Sequence, residues 1–242
     1  MDKTVIHEIG KRMGFSQWQA EKDYLQHIFL YELYSFVNRE LVFKGGTCLQ
    51  KAYGLHRFSR DLDFNLTTEF NANSAVLRVA KKLTELGFPN KVSKTEETQY
   101  SLNFLVEFSS QVMKNSLTIQ ISKREMLLMP PKQVAITPLY TEIPPYFCVC
   151  MAEEEIAAEK IRAIYQRAFP RDVYDFWFLL LKGIRPSQAL VSKKLSRIKE
   201  KYEKEKLMLR VNSVSKNWVE LSDLLVAYPP FESVVADIEK KL

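Results

Sequence analysis

The sequence predicts an α+β fold, with helices and strands mixed up to about residue 150 and helices alone after it. Three observations carry this prediction. After Phe88 the apolar residues recur with a period of two through several short runs, as strands with one buried face require. From Ala152 onward the spacing turns helical and stays so. Only seven glycines occur in 242 residues, yet two of them, Gly45 and Gly46, stand together between an apolar run and a helical one.

Each element has its own signal. Residues 2–13 predict a short helix. Ser16 is placed to cap a second one, SQWQAEKDYLQHIFLYELYSF, with apolar residues at helical spacing from Trp18 to Phe36. LVFKG reads as a short buried strand, GTCLQKAYGL as a helix starting straight after the glycines, and DLDFNL as the next strand. NSAVLRVAKKLTELG predicts a helix with Asn73 or Ser74 as its cap and Gly87 as its stop. TQYSLNFLVEF, SLTIQIS, QVAITPLY and YFCVCM are the further predicted strands. EEEIAAEKIRAIYQRAF begins the helical part, with acids in its first turn that suit the helix dipole. RDVYDFWFLLLKG, PSQALVSKKLSRIKEKYEKEKL, VSKNWVELSDLLVAY and FESVVADIEKKL continue it. No repeat or low-complexity segment interrupts the chain, so the expected division is 1–150 and 151–242.

Composition narrows the function classes. Hydrophobic residues make up 46% of the chain, enough for a substantial core. The formal charge of +6 suits a polyanionic partner without requiring one. Cys48, Cys148 and Cys150 form an odd set with no C-x-x-C, which predicts reduced thiols in a cytoplasmic protein. His7, His27 and His56 are scattered, which predicts no zinc site. The opening MDKTVIHEIGKRMG has no apolar signal core. The longest apolar run, FWFLLL, falls far short of the roughly 18 residues of a membrane span, so no membrane association is expected.

The chemistry concentrates in FKGGTCLQKAYGLHRFSRDLDFNL, Phe43–Leu66. Its layout is strand, Gly-Gly, helix, strand. Glycines let the backbone turn sharply and approach a ligand closely. A helix start directly after them points free N–H groups at an anion, and Thr47 adds a hydroxyl. Alone, a Gly-Gly is more often a plain turn. Asp61 and Asp63 change the balance, because residues two apart in a strand share a face. Two carboxylates held together repel unless a cation joins them. Magnesium suits such a pair, being held by one or two carboxylates plus substrate phosphates. An isolated D-x-D reads as a turn cap beside a solvated acid; next to a phosphate cradle it reads as a metal site.

KGGT followed by RFSRDLDF closely resembles the nucleotidyltransferase core of the AbiEii/AbiGii-type toxin family, which is similar to the wider DNA polymerase β-like nucleotidyltransferase fold. Lys44, Gly45, Gly46, Thr47, Arg57, Ser59, Asp61 and Asp63 fit the family's pattern, and EKDYLQHIFL resembles its leading helix. AEKIRAIYQR resembles the family's E-K-x-x-A helix, which places Lys160 on the functional lysine. PRDVYDFWFL resembles its R-D-x-x-D helix and places Arg171, Asp172 and Asp175. The resemblance spans roughly residues 20–180 and implies a mixed sheet with flanking helices, with 151–242 completing the active-site cleft. It implies transfer of an NMP from an NTP, ATP among them, onto RNA of the tRNA class, with magnesium as cofactor. It further implies a toxin with a cognate antitoxin protein as partner.

On these grounds the expected catalytic residues are Asp61, Asp63, Lys160 and Asp172, with Asp61 and Asp63 as metal ligands. The expected nucleotide-binding residues are Lys44, Gly45, Gly46, Thr47, Arg57, Ser59 and Lys160. Lys160 suits a phosphate as a point charge. Asp172 and Asp175 are i, i+3 on one helix face. Ser59 either reaches a phosphate or closes the turn, and Arg57 pairs with carboxylate or phosphate. KKLSRIKEKYEKEK and KVSK offer phosphate contacts or simply solvated faces. One departure stands out: the family pattern puts a third carboxylate in SLTIQISKRE, where this chain has Gln120. Glu107 and Glu125 fit that position less well. Gln120 keeps open a second reading, a catalytically weakened nucleotide- or RNA-binding module. A third is a transferase acting on protein or a small molecule.

Overall fold

The computed structural model of the chain describes residues 2–109, 114–124 and 126–242. Its strands are β1 (Leu41–Lys44), β2 (Leu62–Leu66), β3 (Asn90–Glu97), β4 (Ser101–Ser109), β5 (Lys114–Ser122), β6 (Lys132–Ile136) and β7 (Tyr146–Cys150). They form one mixed sheet in the order β3-β4-β5-β2-β1-β7-β6. The β2–β5 and β1–β7 pairs are parallel and the other pairs antiparallel. With the sheet go α1 (Lys3–Arg12), α2 (Gln17–Tyr34), α3 (Gly45–Tyr53) and α4 (Ala72–Glu85). These elements form one compact unit, Met1–Gly54 with Phe58–Met151.

The sheet has two unlike faces. Leu102, Phe104, Val106 and Phe108 of β4 are buried, as are Leu117, Ile119 and Ile121 of β5 and Leu62 and Phe64 of β2. The alternate positions of β4 and β5 are more open and, Leu105 apart, polar, among them Asn103, Glu107, Thr118 and Gln120. A period of two in sequence therefore becomes one core face and one polar face. Helix α2 packs against α1, α4, β5 and β7. It is buried along most of its length, including Glu21, Lys22, Asp23, Gln26 and His27. Polar groups so placed must find partners. Asp23 is held by Lys51 at 2.8 Å, by Gln50 at 2.9 Å and by the Tyr140 hydroxyl at 3.0 Å.

A second compact unit comprises Leu55–Arg57 and Ala152–Leu242. It contains α5 (Glu153–Gln166), α6 (Pro170–Leu181), α7 (Gln188–Ser196), α8 (Lys204–Asn212), a 3-10 helix at Ser215–Asp223, and α9 (Phe231–Lys241). Helix α5 packs on α6, α7 and α8, and α6 packs on α9 and the 3-10 helix. Ile156, Ile161, Phe176, Leu179, Leu195, Val211 and Ile238 fill its core. Among the described residues, no helix is long and apolar enough to cross a membrane.

Several local expectations need correcting. The cap of α4 is Asn71, whose side chain accepts from the Ser74 N–H at 3.0 Å; Asn73 and Ser74 already lie in the first turn. The KVSK stretch belongs to an edge strand, β3, which the sequence reading missed. The lysine-rich run after Pro186 is two helices, broken around Lys199 at φ +59. Part of that run is inward-facing: Lys194 is fully buried and pairs with Glu155 at 2.8 Å and Glu159 at 2.9 Å. VSKNWVELSDLLVAY forms 3-10 turns instead of an α-helix. Ser16 does cap α2, in a reciprocal box with Gln19.

Candidate active site

Strand β1 ends at Lys44 and α3 begins at Gly45 with no loop between them. Lys44 is the N-cap residue, extended, and its side chain makes no cap hydrogen bond. The first-turn N–H groups of α3 carry the helix's positive end, and the Lys44 side chain does not cap them. Gly45 has φ +76, and a Cβ built there would lie 2.5 Å from Asp63 Oδ2 and 3.1 Å from Asp63 Cγ. The turn needs glycine twice over, for its left-handed backbone and because the Asp63 carboxylate rests against the α-carbon.

Asp63 is a register partner of Lys44 on β1 and of Gln120 on β5, and Gln120 in turn pairs with Asn103 on β4. Register partners share a face, so Lys44, Asp63, Gln120 and Asn103 form a polar row across the sheet. Asn103 donates to Glu96 of β3 at 2.8 Å. Asp61 immediately precedes β2 and is half-buried like Asp63, with buried Leu62 between them. Glu107 is on the same face of β4, four residues along from Asn103; Glu125 lies outside the described residues.

The segment before Asp61 has no ladder, and side chains hold it instead. The Ser59 N–H donates to Gln50 Oε1 at 2.9 Å. Gln26 Nε2 donates to the carbonyls of Ser59 and Arg60, each at 3.0 Å. Thr47 is fully buried and its hydroxyl donates to the Asp61 carbonyl. Thr47 therefore anchors the chain at Asp61, a different task from the phosphate contact expected of its hydroxyl. Lys22, also absent from the sequence reading, is buried and donates to the Ser116 carbonyl at 2.7 Å. Burial lowers its pKa while the Asp61 carboxylate opposes that shift, so the two charges sense each other.

The second unit holds a buried ionic cluster. Arg57 grips Asp175 with two bonds, Nε to Oδ1 at 2.5 Å and Nη2 to Oδ2 at 2.7 Å. Lys160 reaches Asp172 at 3.1 Å and Asp175 at 2.7 Å. Arg167 adds a bond to Asp172 Oδ2 at 2.9 Å. Burial opposes both carboxylate charges, but the cations prevail: Asp172 is pulled down to about 2, chiefly by Lys160 and then Arg167. Asp175 is lowered by Arg57 and Lys160. Burial likewise opposes the Lys160 ammonium, and Asp175 and Asp172 outweigh it and raise its pKa. Of the alternatives open for Arg57, carboxylate pairing is the one present. Arg171 is exposed and lies over the Phe169 ring, 5.5 Å from its centroid.

Asp61 and Asp63 suit a hard divalent cation: two carboxylate groups with oxygen donors beside a helix start of the kind that takes phosphate. Among the described residues, no group of three or more His, Cys, Asp or Glu could hold a metal ion. An ion on this pair would share its shell with substrate oxygens.

A family model described as "Nucleotidyl transferase AbiEii toxin, Type IV TA system" matches residues 28–234. No curated protein matches the chain. Among solved structures, the chain is similar to MenT4, a nucleotidyltransferase toxin from Mycobacterium tuberculosis H37Rv. The two share 20% identity and a TM-score of 0.68, over 100% of this chain and 88% of that one. It is also similar to JHP933 from Helicobacter pylori, at 20% identity and a TM-score of 0.58, over 93% of this chain and 90% of that one. At these identities the structural likenesses speak for the fold.

Proposed function

The chain belongs to the AbiEii nucleotidyl transferase toxin family of type IV toxin–antitoxin systems, and on that premise we propose that it moves an NMP from an NTP onto RNA of the tRNA class. The acceptor hydroxyl attacks the α-phosphorus, the bond to the β-phosphate oxygen breaks, and pyrophosphate leaves. A cognate antitoxin protein is the proposed partner and the cytoplasm the proposed location.

One observation carries the reading. The glycine that opens α3 touches the Asp63 carboxylate, so the anion-binding helix start and the metal-binding pair are a single structure. Lys44, Gly45 and Gly46 present the triphosphate with N–H groups and one cation. Asp61 and Asp63 would hold magnesium, which supplies charge neutralisation on the phosphates and the attacking oxygen when bound. Lys160, held between Asp172 and Asp175, keeps from the family resemblance its reading as a phosphate-binding cation. Positioning and electrostatics supply most of the rate in phosphoryl transfer, which suits a site with no evident base at Gln120.

Gln120 also favours the second reading, a nucleotide-binding module with weakened chemistry. One experiment separates the two and reports the acceptor. The protein is incubated with each labelled NTP, magnesium and either total RNA or total protein, then resolved on a gel. Label in RNA of tRNA size is expected, lost on omitting magnesium and in Asp61→Asn and Asp63→Asn, whose melting curves match the wild type. Near-normal transfer by Asp63→Asn, or label confined to protein, overturns the proposal.

A further inference from the structure

We infer that Gln26, Gln50 and Thr47 form a clamp, Gln26 and Thr47 fully buried, that positions the Asp61 carboxylate for metal binding. The inference rests on the reading of Asp61 as a metal ligand and extends it to residues that never touch the substrate.

The geometry is specific. Four backbone groups in Ser59–Asp61 are held by side chains of α2 and α3. Gln50 accepts from the Ser59 N–H, Gln26 donates to the Ser59 and Arg60 carbonyls, and Thr47 donates to the Asp61 carbonyl. The chain there is irregular, so no strand ladder would fix it otherwise. Gln50 is itself tied down, its Nε2 donating to Asp23 Oδ1 at 2.9 Å. Asp23 is fully buried and is held in turn by Lys51 and Tyr140. The clamp is thus anchored in the core.

Gln26 carries the strongest signal. It is fully buried, its two N–H groups are both spent on the segment, and among the described residues its Oε1 finds no hydrogen-bond partner. A buried acceptor left unpaired is costly. The amide suits the double task because it offers two donors on one nitrogen and carries no charge. Lysine or arginine would offer donors too, but would set a further cation beside Asp61, where Lys22 already stands. Residues that orient a metal ligand from behind typically cost about 10- to 100-fold in metal affinity or activity when removed.

The test uses the full chain and two substitutions that keep volume while deleting donors, Gln26→Met and Thr47→Val, with Thr47→Ser as the conservative control. Mn²⁺ affinity is followed by EPR titration, and NTP kinetics and melting curves are recorded alongside. The clamp predicts Mn²⁺ binding weakened about tenfold or more, kcat lowered similarly, and KM for NTP within about twofold. Thr47→Ser should restore both Mn²⁺ affinity and kcat. If both donor-deleted variants melt lower yet keep wild-type Mn²⁺ affinity and kcat per folded molecule, the two side chains are only structural and the inference falls. Should Gln26→Met fail to fold, Thr47→Val and Thr47→Ser decide alone. A wild type that binds Mn²⁺ through Asp61 but transfers nothing overturns the transferase reading, while weaker Mn²⁺ binding in the variants still supports the clamp. A wild type that binds no Mn²⁺ overturns the metal reading and the clamp with it.

Discussion

The Asp63 carboxylate fills the space that a Cβ on Gly45 would need, so the turn that starts α3 and the acid on β2 cannot vary independently. Gly45→Ala would put a Cβ within 2.5 Å of Asp63 Oδ2 on a backbone at φ +76. The left-handed conformation alone costs a non-glycine residue roughly 1–2 kcal/mol, and the clash displaces the acid. Transfer should fall by at least tenfold, out of proportion to the lowered melting temperature, because the displaced group is the proposed metal ligand. A Gly45→Ala protein with wild-type kcat would show that the contact is incidental.

That contact could not be read from the sequence, although both partners could. KGGT and DLDF each announce themselves locally, through paired glycines and paired acids. Register is what sets Gly45 on Asp63, and Asp63 beside Gln120, and register has no local signature. Strand β3 was illegible for another reason: NKVSKTEE is polar but for Val92, as an edge strand can be. The break at Lys199 lacks the glycine or proline that marks a stop. Gln26 was hidden because a lone glutamine in a helix carries no pattern. The ionic cluster of the second unit was half legible. Arg57, Lys160, Asp172 and Asp175 came forward as separate candidates, but only the fold shows that they bind one another.

Lys160 is shared by two buried carboxylates, so Lys160→Ala should act on stability and catalysis at once. Breaking a buried pair typically costs about 3–5 kcal/mol, here shared with Arg57 and Arg167, which remain. The variant is therefore assayed well below its melting temperature. The expected result is a raised KM for NTP or a lowered kcat per folded molecule; Asp172→Ala should lower kcat more than it changes KM. A folded Lys160→Ala protein with wild-type kcat/KM would make Lys160 a purely structural cation.

His27 and Asp172 act in different parts of the acid limb of stability, and the lowered Asp23 and Asp175 add to the loss on the carboxylate side. Burial and then the Lys51 charge hold His27 down to about 3, against an ordinary value of 6.5. Its folded pKa is depressed, so the unfolded chain takes up a proton first as pH falls. Stability present above about pH 6.5 should drain away between there and about pH 3. Asp172, also depressed, from 3.8 to about 2, adds a second loss confined to the window below about pH 4. Urea melts from pH 8 to pH 4 should show the first slope in the wild type and a shallower one in His27→Gln. An unchanged slope in that variant would assign the effect elsewhere.

Gln120 is where an active enzyme and a relic part company. It lies beside Asp63 on a parallel strand and on the same face, at the position where the family resemblance puts a third carboxylate, proposed to take the proton of the attacking hydroxyl. Its amide cannot do so at neutral pH. General-base help is typically worth about 10²–10⁴-fold, yet phosphoryl transfer draws most of its rate from positioning and charge. The wild type should then be active and slow. Gln120→Glu adds an acid next to Asp63, whose charge pushes the new carboxyl's pKa upward, toward the range where a base works best. Its kcat should rise and gain a pH dependence that the wild type lacks. Gln120→Ala should lose far less than Asp63→Asn. If the wild type binds NTP without transferring and Gln120→Glu restores transfer, the weakened-module reading is the right one. If Gln120→Glu folds and is slower than wild type at every pH, a base at this position has no part in the reaction, and the Gln120 amide is there to orient.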